Sequence, residues 1–319
     1  MRELRVGPND AGQRLDKFLT KTLKTLPTAL LYKSIRLKKI KVNRRRCTPN
    51  QQLAEGDTLQ LFLAEEFFAE STPTKRLDAI KPNLNILYED ENILLLHKPA
   101  GLSVHEDEGG SRATLIDQIQ AYLYQKGEYD PAREQSFAPA LCNRIDRNTQ
   151  GIVIAAKTAE ALRTVDEKIR LRQIDKFYLA VTHGLPTPPV ATLRAYLKKE
   201  EGDNRVRVWD TPHAGAKEIL TAYRVLDRRA DLALLEVQLL TGRTHQIRAH
   251  MAHIGHPLLG DGKYGVNRDD RKRGYAYQAL CSYRLRFSFT GEPTPLDYLN
   301  GREFSIPPRE IDFVRELFS

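Results

Sequence analysis

The chemistry legible in this chain begins with one acid and its neighbours. Asp146 stands between Arg144 and Arg147, shortly before Gly151 and the apolar run Ile152 to Ala156. Two arginines bracketing a carboxylate can hold it ionised. An ionised carboxylate in a basic cleft can act as a nucleophile while the cations grip a polyanion. The same residues also read as a surface ion-pair cluster at the start of a strand. A second cluster runs Gly242-Arg243-Thr244-His245-Gln246-Ile247-Arg248-Ala249-His250. On a helix, Thr244 and Arg248 share a face, as do Gln246 and His250. Such a face suits nucleic acid or the wall of a site. His250, His253 and His256 recur at three-residue spacing, which raises a metal site. Gly255 ends a helix there, and neither Glu nor Cys joins them at zincin spacing. Packing, capping of the helix end or phosphate contact suits them better, so no metal is expected.

A third cluster is basic. From Lys33 to Arg46 stand eight cations (Lys33, Arg36, Lys38, Lys39, Lys41, Arg44, Arg45, Arg46) and no acid. Ile35, Leu37, Ile40 and Val42 thread through them, so the segment folds and presents its charges as a surface. A single-sign surface repels itself unless phosphates neutralise it. A solvated face that keeps the protein soluble is the plainer alternative.

The elements that must carry these residues follow from periodicity. Leu15, Phe18, Leu19 and Leu23 recur at helical spacing. Pro27 breaks the chain, and Thr28 is expected to cap a second helix bearing Leu30, Leu31 and Ile35. Ile40 and Val42 alternate as in a strand. Glu55-Gly56-Asp57 turns into an alternating strand, Thr58 to Leu63. Further on, Ile86 to Tyr88, Ile93 to Leu96, Ile152 to Ala156, Phe177 to Val181 and Leu232 to Leu240 read as strands. Thr158 caps a helix with Leu162, Val165 and Ile169 on one face, and a helix is expected from His245 to Ile254. Strands and helices mix without a βαβ rhythm, which predicts an α+β fold. A polar, Pro-containing stretch over 65–84 reads as a linker between a domain at 1–64 and a larger one at 85–319.

The chain has 319 residues, a net charge of +9 and 41% hydrophobic residues, which excludes disorder throughout. No apolar run approaches the roughly 20 residues of a membrane span. The start, Met1-Arg2-Glu3-Leu4-Arg5, lacks the apolar stretch of a signal peptide. Cys47, Cys142 and Cys281 lie far apart. A reducing, cytoplasmic setting is expected.

Two resemblances sharpen these readings. Arg14-Leu15-Asp16-Lys17-Phe18-Leu19, Leu26-Pro27, Ile40-Lys41-Val42-Asn43, Leu53 and Gly56-Asp57 resemble a small S-four-type RNA-binding domain. That family usually has Gly near Lys39 and after Asn43, where this chain has Arg44. Asn143-Arg144-Ile145-Asp146-Arg147-Asn148-Thr149-Gln150-Gly151 resembles the catalytic motif of the large-subunit ribosomal RNA pseudouridine synthases, the Rlu type. The usual form of that motif is His-Arg-Leu-Asp-Arg-x-Thr-Ser-Gly. Tyr88 to His105, including Lys98-Pro99-Ala100-Gly101, resembles a first family motif. Lys176-Phe177-Tyr178 resembles a second. Leu240 to Arg248, continuing through Gly260-Asp261 and Tyr264-Gly265, resembles a third, and Gln278-Ala279-Leu280 also fits. The departures are Asn143 for His, Ile145 for Leu and Gln150 for Ser.

The resemblance implies a mixed, mainly antiparallel-sheet catalytic domain that isomerises uridine in structured RNA. Ribosomal RNA is the first expected partner and tRNA the second, with no cofactor. It implies Asp146 as the essential carboxylate, Tyr178 stacked on uracil and Arg248 paired with Asp146. Arg144 is the expected side chain that enters the RNA where the uridine flips out. Arg147, Arg243, His245 and Gln246 are the other expected substrate contacts of the catalytic domain. Lys33, Arg36, Lys38, Lys41, Arg44 and Arg45 are those of the N-terminal one. A non-catalytic RNA-binding factor for ribosome assembly is the competing reading.

Overall fold

Apolar residues at helical spacing become the first two helices. The computed structural model describes residues 1–68, 76–106, 113–200, 202 and 204–318. Residues 69–75 of the expected linker lie outside the described residues. The chain divides into two units, one of residues 1–83, 116–140 and 156–162, the other of 84–115, 141–155 and 163–319.

In the first unit, α1 spans Leu15–Thr22 and α2 spans Thr28–Arg36. They are followed and flanked by short strands: β1 (Arg2–Arg5), β2 (Ile40–Val42), β3 (Arg45–Arg46) and β4 (Thr58–Leu61). The sheet order is β1-β4-β2-β3, with β4 antiparallel to both β1 and β2. Leu59 and Leu61 of β4 alternate inward to meet Ile40, Val42, Leu15, Phe18, Leu19, Leu31 and Ile35. Each fully buried Leu or Ile of this core stabilises the unit by about 1.5–3 kcal/mol. Thr28 does not cap α2: Pro27 occupies the N-cap position and no side-chain cap forms. Proline suits that position because its φ is already near the required value and its missing N–H is not needed. Where the resembling family places glycines, Lys38 and Arg44 adopt left-handed backbone, with Asn43 beside them.

The second unit is organised by one sheet. Its strands are β5 (Ile86–Glu89), β6 (Ile93–Lys98), β7 (Ala140–Leu141), β8 (Gln150–Ala156), β9 (Ile174–His183), β10 (Val190–Lys199), β11 (Val206–Trp209), β12 (Lys217–Arg229), β13 (Leu232–Leu239), β14 (Leu280–Phe287) and β15 (Glu303–Ser305). The described strands run β11-β10-β12-β13-β9-β14-β8-β6-β5, with β15 on β14 and β7 on β8. The pairs are mainly antiparallel, and β14 with β8 is parallel. β8 is apolar almost throughout because it lies inside the sheet. Helix α3 (Leu115–Gln125) falls almost wholly in the first unit and α4 (Ala159–Arg170) is divided between the two, while α5 (Gln246–His253), α6 (Arg268–Lys272) and α7 (Asp312–Phe318) belong to the second. Thr158 caps α4 by accepting from the Ala161 amide at 3.1 Å. Among the described residues no helix is long and apolar enough to cross a membrane.

Ile247 and Met251 bring α5 onto the sheet face formed by Tyr178, Ala180, Tyr223, Leu235 and Val237. The helix starts at Gln246 rather than His245, because His245 takes left-handed backbone at φ 52°. Thr244 therefore lies outside the helix, and the expected shared face of Thr244 and Arg248 does not form. Gly151 is required where β8 begins. Its φ is +126°, and a Cβ there would meet the Ser282 backbone N and O at 2.4 Å.

Candidate active site

Asp146 sits in a loop, residues 143–149, that feeds β8. Four side chains fix the loop to its surroundings. Asn143, which is buried, accepts from the Ile154 amide at 2.7 Å through Oδ1. The Gln278 amide donates to Thr149 Oγ1 at 3.0 Å, and the Thr149 N–H closes a turn onto the Asp146 carbonyl at 3.0 Å. The loop is also held from below by Lys98, which is fully buried. Its Nζ donates to the carbonyls of Pro99 at 2.8 Å, Leu102 at 2.9 Å and Arg147 at 2.9 Å. Three carbonyls saturate the three ammonium donors. Burial lowers the Lys98 ammonium to about 8, with the nearby Asp146 charge acting in the opposite sense.

Arg248, from α5, reaches this loop. Its Nη1 donates to Asp146 Oδ2 at 2.8 Å. The rest of its guanidinium grips Asp261, with Nε to Oδ2 at 2.7 Å and Nη2 to Oδ1 at 2.9 Å. A planar fork can serve two carboxylates at once, which a lysine cannot. Burial opposes the Arg248 charge, yet Asp261 and Asp146 together raise its pKa. Burial likewise opposes charge on Asp261, but Arg248 and the backbone N–H groups of Lys263 and Tyr264 hold its carboxyl below the usual range. Asp261 thus anchors Arg248, and Arg248 orients Asp146. The hydrogen bonds and ion pairs to the Asp146 carboxylate fall on Oδ2. Among the described residues none falls on Oδ1.

Tyr178 lies on β9, buried, directly opposite Ser282 of β14. Burial pushes its phenol up to about 12, and the Asp146 charge acts in the same sense. It is a neutral hydroxyl at physiological pH, not a phenolate. His245 is half-buried, with its Nε2 3.8 Å from Asp146 Oδ2. Arg144 and Arg243 are exposed. Arg147 is exposed too, and its Nε donates to the Gly101 carbonyl at 3.1 Å.

Gln246 was expected to touch substrate and does not have the means. It is buried, and its Oε1 accepts from Thr241 Oγ1 and the Arg243 amide. Its Nε2 donates to the Leu220 carbonyl and to Thr221 Oγ1. Its amide closes the turn that leads into α5. The three spaced histidines also diverge: His250 Nδ1 pairs with Thr221 Oγ1 at 3.0 Å, His253 with Asp210 at 2.8 Å, and His256 with the His183 carbonyl at 3.1 Å.

His250 supplies a pH test of folding. It is 1% exposed. Burial lowers it to about 4, the His253 charge adds to this, and Asp210 opposes it. Between its unfolded value near 6.5 and the folded one, the unfolded chain binds a proton that the folded chain refuses. Stability therefore falls as pH drops through that window, by about 2 kcal/mol at pH 4.5. His250→Gln is expected to remove that share of the acid sensitivity. Urea midpoints of both proteins at pH 7 and pH 4.5 check it. An unchanged wild-type-minus-variant difference sinks the idea.

In the first unit, Lys33, Arg36, Lys38, Lys39, Arg44, Arg45 and Arg46 are all exposed. Lys41 is half-buried, its ammonium 5.5 Å from the centre of the Phe62 ring. Spacing arguments missed the roles of Lys98 and Asp261. Both lie in the motif blocks, and a Lys before Pro or an Asp after Gly gives no local sign of burial.

This mixed, mainly antiparallel sheet is a fold found in solved pseudouridine synthases. The solved human RNA Pseudouridylate Synthase Domain Containing 4 shares this fold with a TM-score of 0.54 at 24% identity, over 70% of this chain and 87% of that one. Human RNA Pseudouridylate Synthase Domain Containing 1 does so at 0.52 and 21%, over 74% and 98%. Residues 92–253 match the family described as RNA pseudouridylate synthase. The chain belongs to that family and is an isomerase acting on RNA. It is 33% identical over 287 residues to Ribosomal large subunit pseudouridine synthase C of Haemophilus ducreyi, covering 88% of this chain and 86% of the relative. With the Yersinia pestis protein of the same name it shares 32% over 305 residues, 92% of this chain and 91% of the relative.

Proposed function

We propose that this chain converts uridines of large-subunit ribosomal RNA to pseudouridine, with Asp146 as the essential carboxylate. The observation that carries this reading is the Asp146 carboxylate itself, held by Arg248 through Oδ2 and, among the described residues, without a hydrogen-bond partner at Oδ1. The reaction breaks the bond from ribose C1′ to uracil N1 and forms one from C1′ to C5. The proton on C5 is lost and N1 gains one. No electrons are exchanged with an outside group, so the isomerisation balances without a redox cofactor. Attack by the carboxylate on the ribose or on the uracil ring needs an oxygen that faces the nucleoside, and Oδ1 is the one left open.

Tyr178, neutral and rigid in the sheet, is the surface on which the uracil stacks. Arg144, exposed beside Asp146, fills the space that the flipped uridine leaves. Flipping costs a few kcal/mol, least at weakly paired positions. Arg147, Arg243 and His245 line the approach. Residues 1–64 act as an S-four-type RNA-binding domain, joined by a linker at 65–84 to the catalytic domain at 85–319. The cations from Lys33 to Arg46 supply salt-dependent affinity for the RNA backbone. A ribosomal substrate is supported by the names of the curated relatives that span nearly the whole chain. A cytoplasmic site of action goes with this reading.

The test is pseudouridine mapping, by chemical adduct and reverse-transcription stops, on total RNA from cells lacking the protein. The knockout is complemented with wild type or Asp146→Ala. Stops in large-subunit RNA that vanish in the knockout and return only with wild type are expected. Dependent stops confined to tRNA overturn the substrate, and no dependent stop anywhere favours the RNA-binding-factor reading.

A further inference from the structure

The imidazole of His245 is wired to the backbone through one tyrosine. The Val206 amide donates to the Tyr264 hydroxyl oxygen at 3.0 Å. The same hydroxyl lies 2.8 Å from His245 Nδ1. With its oxygen already accepting from Val206, the Tyr264 O–H has one acceptor among the described residues, and that is His245 Nδ1. An imidazole that accepts at Nδ1 while neutral carries its proton on Nε2. That Nε2 faces Asp146 Oδ2 at 3.8 Å. It is the same oxygen that Arg248 holds at 2.8 Å. His245 stands immediately before α5 in left-handed backbone.

Resting on the reading of Asp146 as the essential carboxylate, we propose that His245 is a positioning residue. Tyr264 locks it in the Nε2–H tautomer, and with Arg248 it holds Asp146 Oδ2 so that Oδ1 is the oxygen presented to the nucleoside. The 3.8 Å gap closes to a hydrogen bond by a small rotation when RNA fills the site, as active-site contacts commonly tighten on binding. A neutral donor suits this task better than a second cation, since Arg248 already supplies the charge. The ring is kept neutral by its surroundings. Burial lowers its pKa, Asp146 and Asp261 pull it up, and Arg248 and Lys263 push it down, with a net lowering. Tyr264, the remaining titratable neighbour, is pushed up to about 12 by burial and stays protonated.

The test has two readouts. The first is the histidine 15N spectrum of the wild-type protein at pH 7.5, with His245 assigned by its loss in His245→Asn. The Nε2–H tautomer is expected, converting to a mixture in Tyr264→Phe. The second is single-turnover pseudouridine formation on large-subunit RNA from cells lacking the protein. His245→Asn suits the left-handed backbone and keeps an acceptor for Tyr264, but loses the Nε2–H. Its single-turnover rate at saturating enzyme is expected to fall about tenfold with the half-saturating enzyme concentration unchanged, the scale of one lost hydrogen bond. A wild-type Nδ1–H tautomer overturns the proposal. So does a full rate in His245→Asn while Asp146→Ala is inactive, which leaves the site reading standing. An active Asp146→Ala defeats the site reading itself. The resonance can also be assigned through bonds from the wild-type backbone, so the tautomer decides the point even if His245→Asn is unstable.

Discussion

Asp146→Ala is expected to lower single-turnover pseudouridine formation by about ten-thousandfold or more, the scale seen when a reacting group is removed. RNA affinity is expected to stay within about threefold, because phosphate contacts elsewhere supply most of the binding energy. The physical ground is the carboxylate's exposure to the site, since Asp261, the other carboxylate on the Arg248 guanidinium, is 0% exposed and cannot replace it. Oδ2 is occupied by Arg248, and Lys98 holds the loop through the Arg147 carbonyl. Removing the carboxylate leaves that frame in position with nothing to meet the nucleoside. Asp146→Asn is expected to behave alike, since it keeps the shape and loses the charge. Rapid-quench assays with saturating enzyme, alongside filter binding at fixed salt, separate rate from affinity. A variant that retains more than a tenth of the wild-type rate defeats Asp146 as the essential group.

Arg248→Ala is expected to cost both stability and rate. The Asp261 side chain is 0% exposed, and its partners are Arg248 and two backbone amides. Deleting one member of a buried ion pair leaves the other charge without compensation, a loss of about 3–5 kcal/mol. Asp146 simultaneously loses its 2.8 Å contact, so the rate falls as well. Arg248→Lys is expected to recover part of the stability and little of the rate, because a point charge cannot fork between two carboxylates. In the double variant Arg248→Ala, Asp261→Ala the stability loss is expected to be smaller than the two single losses added together. Urea unfolding of the four proteins measures the coupling directly. Additive losses sink the pairing as a source of stability.

Much of the fold could be read from periodicity. The apolar alternation of β4, the helical spacing of α1 and the apolar run of β8 each reflect a local rule that the final packing obeys. Errors came where a local rule met a tertiary demand. Thr28 looked like a cap because hydroxyls cap helices, but Pro27 sits at the N-cap. Gln246 looked like a substrate contact because it stands in a polar cluster. Its amide is instead consumed by Thr241, Arg243, Leu220 and Thr221, two of them on the facing strand β12. The evenly spaced histidines suggested a shared ligand. Their side chains meet three different partners: His250 and His253 stand nearly a turn apart on α5, and His256 lies beyond Gly255, whose left-handed backbone follows the helix end.

By itself the sequence determined the elements of residues 15–63, five strands of the larger sheet, the basic character of the first unit and the loop that carries Asp146 into a buried strand. Those depend on residue type and short spacing, and short spacing is what periodicity measures. The family resemblance already implied that Arg248 meets Asp146; only the tertiary structure decided that its Nη1 takes Oδ2, that Asp261 anchors it and that Tyr264 sets the face His245 turns to the carboxylate. Such partners are chosen by strand order and by burial, which strips water from each charge and forces it onto whichever opposite group the folded chain brings within reach.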